Sequence, residues 1–127
     1  MSVQPEQPPR RDAEGAGTAE QFAEFVYQVL EAKRAEDIVW IDVRGITDLA
    51  DDFMIATITS QPQGAAIVDE CEKERKRRGL SRLGIEGESG SSWILLDYGD
   101  IIVHLLMPEQ RAYYSLEHVW ADAKRVR

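Results

Sequence analysis

Residues Ser92 to Leu106 read Ser-Trp-Ile-Leu-Leu-Asp-Tyr-Gly-Asp-Ile-Ile-Val-His-Leu-Leu. Two short apolar runs rich in β-formers, divided by a glycine, read as the strands of an antiparallel hairpin. With Tyr98-Gly99 as a two-residue turn, Asp97 opposes Asp100, Leu95 opposes Ile102 and Trp93 opposes His104. Opposed residues point to the same side of a sheet. One face is then Ile94, Leu96, Ile101, Val103 and Leu105, wholly apolar, and must be core. The other carries Trp93, Leu95, Asp97, Asp100, Ile102, His104 and Leu106, a mixture of apolar and ionisable groups. Facing carboxylates disfavour such a hairpin unless turn amides, a cation or a basic partner offsets them. Two readings stay open: a solvated tip that caps its own turn, or a surface that meets a basic partner.

The rest of the chain supplies a sheet and helices for this hairpin. Thr18-Ala-Glu-Gln21 has capping-box spacing, and Phe22, Phe25, Val26, Val29 and Leu30 form an apolar stripe, so a helix is expected from about 19 to 34. Ile38 to Val43 and Phe53 to Thr59 read as strands, with a turn from Arg44 to Asp48 between them. Their nearly unbroken apolarity suggests burial on both faces. Ser60 and Gln63 form a second capping box, opening a helix to about Arg78 that turns Gly64, Ile67, Val68 and Cys71 inward and stops at Gly79. Leu80 to Ile85 reads as a short strand and Glu86 to Ser91 as a loop. Short helical pieces follow Pro108 and surround Ser115 to Trp120. The expected fold is a single α/β domain, a mixed β-sheet flanked by helices, over residues 18–121. Residues 1–17 hold three of the five prolines and almost no large apolar side chains, so they read as a disordered tail; 122–127 reads as a C-terminal tail.

Charge and motifs narrow the function classes. Fifteen Lys and Arg stand against 23 Asp and Glu, a net charge of −8, which opposes autonomous DNA or RNA binding and suits a basic partner. The five cations Lys73, Arg75, Lys76, Arg77 and Arg78 crowd the end of the second helix. They read either as a solvated face suited to a helix C-terminus or as a small nucleic-acid patch; the interleaved acids favour the first. The apolar runs are too short to span a membrane. Cys71 is alone, so no internal disulfide forms, and it reads as a core residue. There is no Gly-x-Ser-x-Gly elbow, no phosphate loop and no dinucleotide fingerprint. Asp97, Asp100 and His104 lack a further convergent ligand for a metal. No catalytic residue, metal or cofactor is therefore assigned. Without a secretory or transit segment at its start, the chain is expected in the cytoplasm.

Gly90-Ser-Ser-Trp-Ile-Leu-Leu-Asp-Tyr-Gly-Asp-Ile-Ile-Val-His104 resembles the signature of the ribosomal silencing factors, the RsfS/Iojap family. Arg111-Ala-Tyr-Tyr-Ser-Leu-Glu-His-Val-Trp120 is similar to that family's ending, and Ala35 to Gly45 and Ala50 to Ser60 are similar to its first half. The resemblance implies a nucleotidyltransferase-like fold that transfers no nucleotide. It implies binding to the large ribosomal subunit through its L-fourteen protein, which blocks joining of the small subunit and represses translation. Lacking a transit peptide, the chain is expected to be a bacterial member. Carried over residue by residue, the partner-binding set is Trp93, Asp97, Asp100, His104, Tyr114 and Glu117, with Gly99 and Leu116 structural. A second copy of the chain is the other partner considered, for the free protein. The alternatives are a nucleotide-dependent enzyme on the same fold and a ribosomal RNA binder using the basic helix end.

Overall fold

In the computed structural model, which describes residues 13–87, 91–114, 118 and 120–127, helix α1 (Ala13–Ala32) leads into strands β1 (Glu36–Asp42) and β2 (Asp52–Thr57). Helix α2 (Gln61–Arg77) follows, then strands β3 (Gly84–Glu86), β4 (Trp93–Asp97) and β5 (Ile101–Leu106), helix α3 (Pro108–Tyr114) and strand β6 (Lys124–Arg125). The six strands form one mixed sheet in the order β3-β4-β5-β2-β1-β6. Strands β2 and β5 run parallel, and every other neighbouring pair is antiparallel. A parallel neighbour needs a crossover, which here contains α2. Every residue of the two central strands is buried; for β2 this follows from its nearly continuous apolarity, whereas in β5 the mixed row Ile102, His104 and Leu106 is covered as well.

The sheet has two unequal faces. On one, Phe22, Val26 and Leu30 of α1 and Ile67 and Cys71 of α2 pack over Met54, Leu96, Val103 and Leu105. A side chain of this size contributes roughly 1.5–3 kcal/mol when fully buried. Gly64 lets α2 approach closely, since a Cβ there would lie 2.8 Å from Ile58 Cδ1. On the far face, Val39, Ile41, Phe53, Ile55, Ile102 and Leu106 cluster with Trp93 and Leu95, and Trp120 and Ala123 of the C-terminal segment pack against them.

Both long helices end in the same way. Ala35 N donates to Leu30 O and Arg34 N to Glu31 O; Leu80 N donates to Arg75 O and Gly79 N to Lys76 O. These are the paired bonds of a Schellman ending, with Gly79 at φ 69° in the second as its position foretells and Arg34 at φ 64° in the first. At the start of α2, Ser60 Oγ accepts from Gln63 N, but Gln63 Oε1 reaches Thr59 N, one residue upstream of the expected reciprocal bond.

Three expectations change. Helix α1 begins at Ala13 and ends at Ala32 in place of about 19 to 34, so Thr18 lies within the helix and not at its start. Residues 13–17, expected in a disordered tail, belong to its opening turns. The C-terminal tail contains a short strand, Lys124–Arg125: Asp42 pairs with Lys124, Ile41 with Arg125, and Val126 N donates to Trp40 O at 2.7 Å. It fills the open edge of β1, and its charged side chains carry no apolar pattern to read. The hairpin register is the third. Asp97 pairs with Ile102, Leu95 with His104 and Trp93 with Leu106, so the tight turn is Gly99-Asp100 and not Tyr98-Gly99. Gly99, at φ 86°, takes the first central position, where a type II′ turn places glycine.

Candidate interaction face

The register differs by two in the sum of paired positions, so every side chain keeps its expected face. Strand β4 alternates between buried and half-buried residues: Ile94 and Leu96 enter the core, while Trp93, Leu95 and Asp97 line the far face half-exposed. The six residues of β5 beside them are buried. The accessible part of the mixed hairpin face is therefore one row along β4.

Trp93 is held from behind. Its indole Nε1 donates to His104 Nδ1 at 3.2 Å, across a diagonal of the β4–β5 ladder. His104 is only 8% exposed, and burial lowers its pKa to about 4. It is neutral at pH 7, and accepting through Nδ1 puts its proton on Nε2, which is buried without a hydrogen-bond partner among the described residues. Phe53 meets the imidazole edge-on with centroids 5.3 Å apart, and Trp120 meets Phe53 edge-on at 4.8 Å. Trp93, His104, Phe53 and Trp120 thus form a row of rings across β4, β5, β2 and the C-terminal segment. Ser91 Oγ accepts from Trp93 N at 3.1 Å and donates to Trp93 O at 2.8 Å.

The hairpin carboxylates are not opposed. Asp97 Oδ1 accepts from Gly99 N at 2.9 Å, capping the turn. Asp100 sits in the turn, and its carbonyl accepts from Asp51 N and Asp52 N, which ties the tip to the start of β2. Trp93 and His104 are thus brought together, while Asp97 ends β4 and Asp100 lies in the turn that follows. Glu117 and the side chain of Tyr114 lie outside the described residues, as does most of the expected helical piece at 115–120. Arg111 of the same ending is buried, donating to Thr57 Oγ1 at 3.0 Å and to the Asp37 carbonyl at 2.7 Å.

Two further residues belong to this face and not to the set that the resemblance carries over: Leu95 and Phe53. Parity along β4 alone puts Leu95 beside Trp93. Phe53 lies in a continuous apolar strand, where alternation gives no sign of which face matters.

The basic end of α2 is engaged internally. Lys73 pairs with Asp69, Arg75 with Glu72, and Arg77 and Arg78 with Glu74. Burial alone would raise the Glu72 pKa, but hydrogen bonds from Arg75 and Tyr98 and the charges of Arg75 and Arg82 hold it below the usual value. The two arginines bring Glu74 down to about 2. Four of these five cations are thereby drawn into ion pairs, which fits the solvated-face reading. Among the described residues no group of three or more His, Cys, Asp or Glu could hold a metal ion, and no helix is long and apolar enough to cross a membrane. Cys71 is buried in the core, its thiol pushed up to about 12 chiefly by desolvation.

The chain matches the family described as ribosomal silencing factor during starvation over residues 16–127. It is 38% identical over 100 residues to the ribosomal silencing factor RsfS of Haemophilus influenzae, covering 79% of this chain and 98% of that protein. To the RsfS of Bacillus subtilis it is 40% identical over 91 residues, covering 72% and 77%. The chloroplastic protein Iojap of Arabidopsis thaliana is 31% identical over 119 residues, 91% of this chain and 46% of that longer protein. Among solved structures, a protein from Chromobacterium violaceum superposes with a TM-score of 0.75 at 29% identity, over 80% of this chain and 85% of that one. One from Bacillus halodurans gives 0.73 at 30% identity, over 85% and 98%. From the hairpin signature to the C-terminal strand, this chain belongs to the ribosomal silencing factor family.

Proposed function

We propose that this protein is a cytoplasmic translation repressor that binds the large ribosomal subunit through its L-fourteen protein and keeps the small subunit from joining. The observation that carries the reading is the half-exposed row Trp93, Leu95 and Asp97 on β4, within the family's signature segment. A tryptophan already locked by a hydrogen bond loses little freedom on binding, and such aromatic anchors dominate interface energies at 2 kcal/mol or more, roughly. Asp97 and Asp100 place negative charge at one end of the row, and the net charge of −8 favours approach to a basic protein. In this reading His104 is a positioning residue for Trp93, not a contact, because it is buried. Tyr114 and Glu117 are carried as contacts by the family resemblance. The repressor acts by occupying a surface, with no chemical step.

The test is co-sedimentation with purified large subunits, small subunits and joined ribosomes. The protein should pellet with free large subunits and not with small ones. Equal recovery with both subunits would overturn the reading.

A further inference from the structure

Five large hydrophobic residues are exposed among the described residues, and three of them gather at the loop end of the sheet: Ile46, Leu49 and Leu83. Leu49 is 66% exposed and Leu83 72%. These two leucines are lips of one cleft of about 390 Å³, bounded by the Arg44–Asp51 loop between β1 and β2, by Leu83 ahead of β3, and by Gly99 in the β4–β5 turn. A Cβ added at Gly99 would stand 3.9 Å from Leu83 Cδ1, so Leu83 leans over the turn. Its backbone is anchored, Leu83 N donating to Asp97 O at 2.8 Å. Two solvent-facing leucines from separate loops thus stand around one concavity, where a single side chain can contact both.

The charge around the lips indicates the partner. Asp48 and Asp51 line the cleft, and Asp97 and Asp100 flank Gly99 at its border. Arg44 is the cation in the lining, and Nε and Nη2 of its guanidinium are bound to Asp42. A cleft with leucine lips and with Asp48 and Asp51 in its lining fits a long basic side chain, whose methylene stem lies on the leucines while its charged head stays at the acids. Strand β4 runs from Trp93 through Leu95 and Asp97 straight to the turn that borders the cleft. We propose that the Leu49–Leu83 cleft seats an Arg- or Lys-bearing segment of the same basic protein that covers Trp93. The surface used is then a continuous strip from Trp93 at the start of β4 to the loop end. The identity of that protein rests on the ribosome-binding reading; the chemistry of the cleft does not.

Two measurements keep these apart. The peptide acetyl-Leu-Arg-Leu-Lys-amide, titrated into the full chain and followed by amide chemical shifts, should perturb residues 48–51, Leu83 and Gly99. The perturbation should vanish in Leu49→Ser/Leu83→Ser and in Asp48→Lys. Shifts scattered over the acidic surface, or none, overturn the cleft. In parallel, the same variants should bind large subunits about tenfold more weakly than wild type, with an unchanged Tm. If wild type binds subunits and the variants bind equally well, the cleft is overturned and the ribosome reading stands. If wild type does not bind subunits while the peptide still maps to the cleft, the ribosome reading falls and the cleft stands as a site for basic segments.

Discussion

The Trp93 indole donates its hydrogen bond to Nδ1 of His104, so the half-exposed anchor of one strand is fixed by a buried imidazole on the next. That arrangement requires a neutral histidine. Protonation would replace the Nδ1 acceptor with a donor facing the indole N–H.

The pH dependence follows. His104 has a folded pKa of about 4, against about 6.5 in an unfolded chain. The unfolded state therefore binds the proton first as pH falls. The stability contributed by neutral His104 is complete above pH 6.5 and is lost between about 6.5 and 4, on the order of 3 kcal/mol. Urea unfolding at pH 7 and pH 4.5 should show a smaller loss in His104→Gln, which keeps an acceptor and does not titrate. An equal loss in both proteins would contradict the assignment.

Trp93 and the core face of the same strand should separate cleanly. Trp93→Ala should weaken large-subunit binding by about 2 kcal/mol or more with little change in Tm. Leu96→Ala, a cavity among fully buried neighbours, should cost about 2–5 kcal/mol of stability. Thermal melts and subunit affinity measured on both variants check this. A large Tm loss for Trp93→Ala would make it a core residue.

Those two classes of residue are legible in the amino-acid sequence because they depend only on parity along β4. The turn it suggests lies one residue early, which moves every cross-strand partner by two and leaves every face unchanged. What depends on register is not legible: Asp97 and Asp100 are not opposed, and Trp93 meets His104 diagonally. The burial of His104 is also invisible, because it arises from Phe53 on a strand distant in sequence. Strand β6 escapes for a different reason. Lys124 and Arg125 show no hydrophobic alternation, and they pair only because β1 offers an open edge.

That edge strand gives a further test. Arg127 stacks over the rings of Tyr27 and Trp40 at 5.3 and 5.6 Å, and its guanidinium meets Glu24 at 2.6 Å. Deleting residues 124–127 removes both the ladder and this clasp on α1. Tm should fall by at least about 4 °C. A melt that matches wild type would show that β6 is not needed to close the edge.

Gly87 is a point where the backbone admits no side chain. Its φ is 73°, and a Cβ would lie 2.1 Å from the Trp93 carbonyl. Gly87→Ala should destabilise by about 1–3 kcal/mol. It should also weaken subunit binding by displacing the start of β4. Calorimetry and co-sedimentation on the variant test both effects, and a variant with wild-type behaviour in each would refute them.

In the proposed function this chain keeps ribosomal subunits apart by covering the large one. The most direct measurement is light scattering of purified large and small subunits mixed in magnesium, with the protein added first to one or the other. Preincubation with large subunits should lower the yield of joined ribosomes in proportion to occupancy, and Trp93→Ala should relieve the block. Unchanged joining at saturating protein, or a block that forms only by preincubation with small subunits, would contradict it.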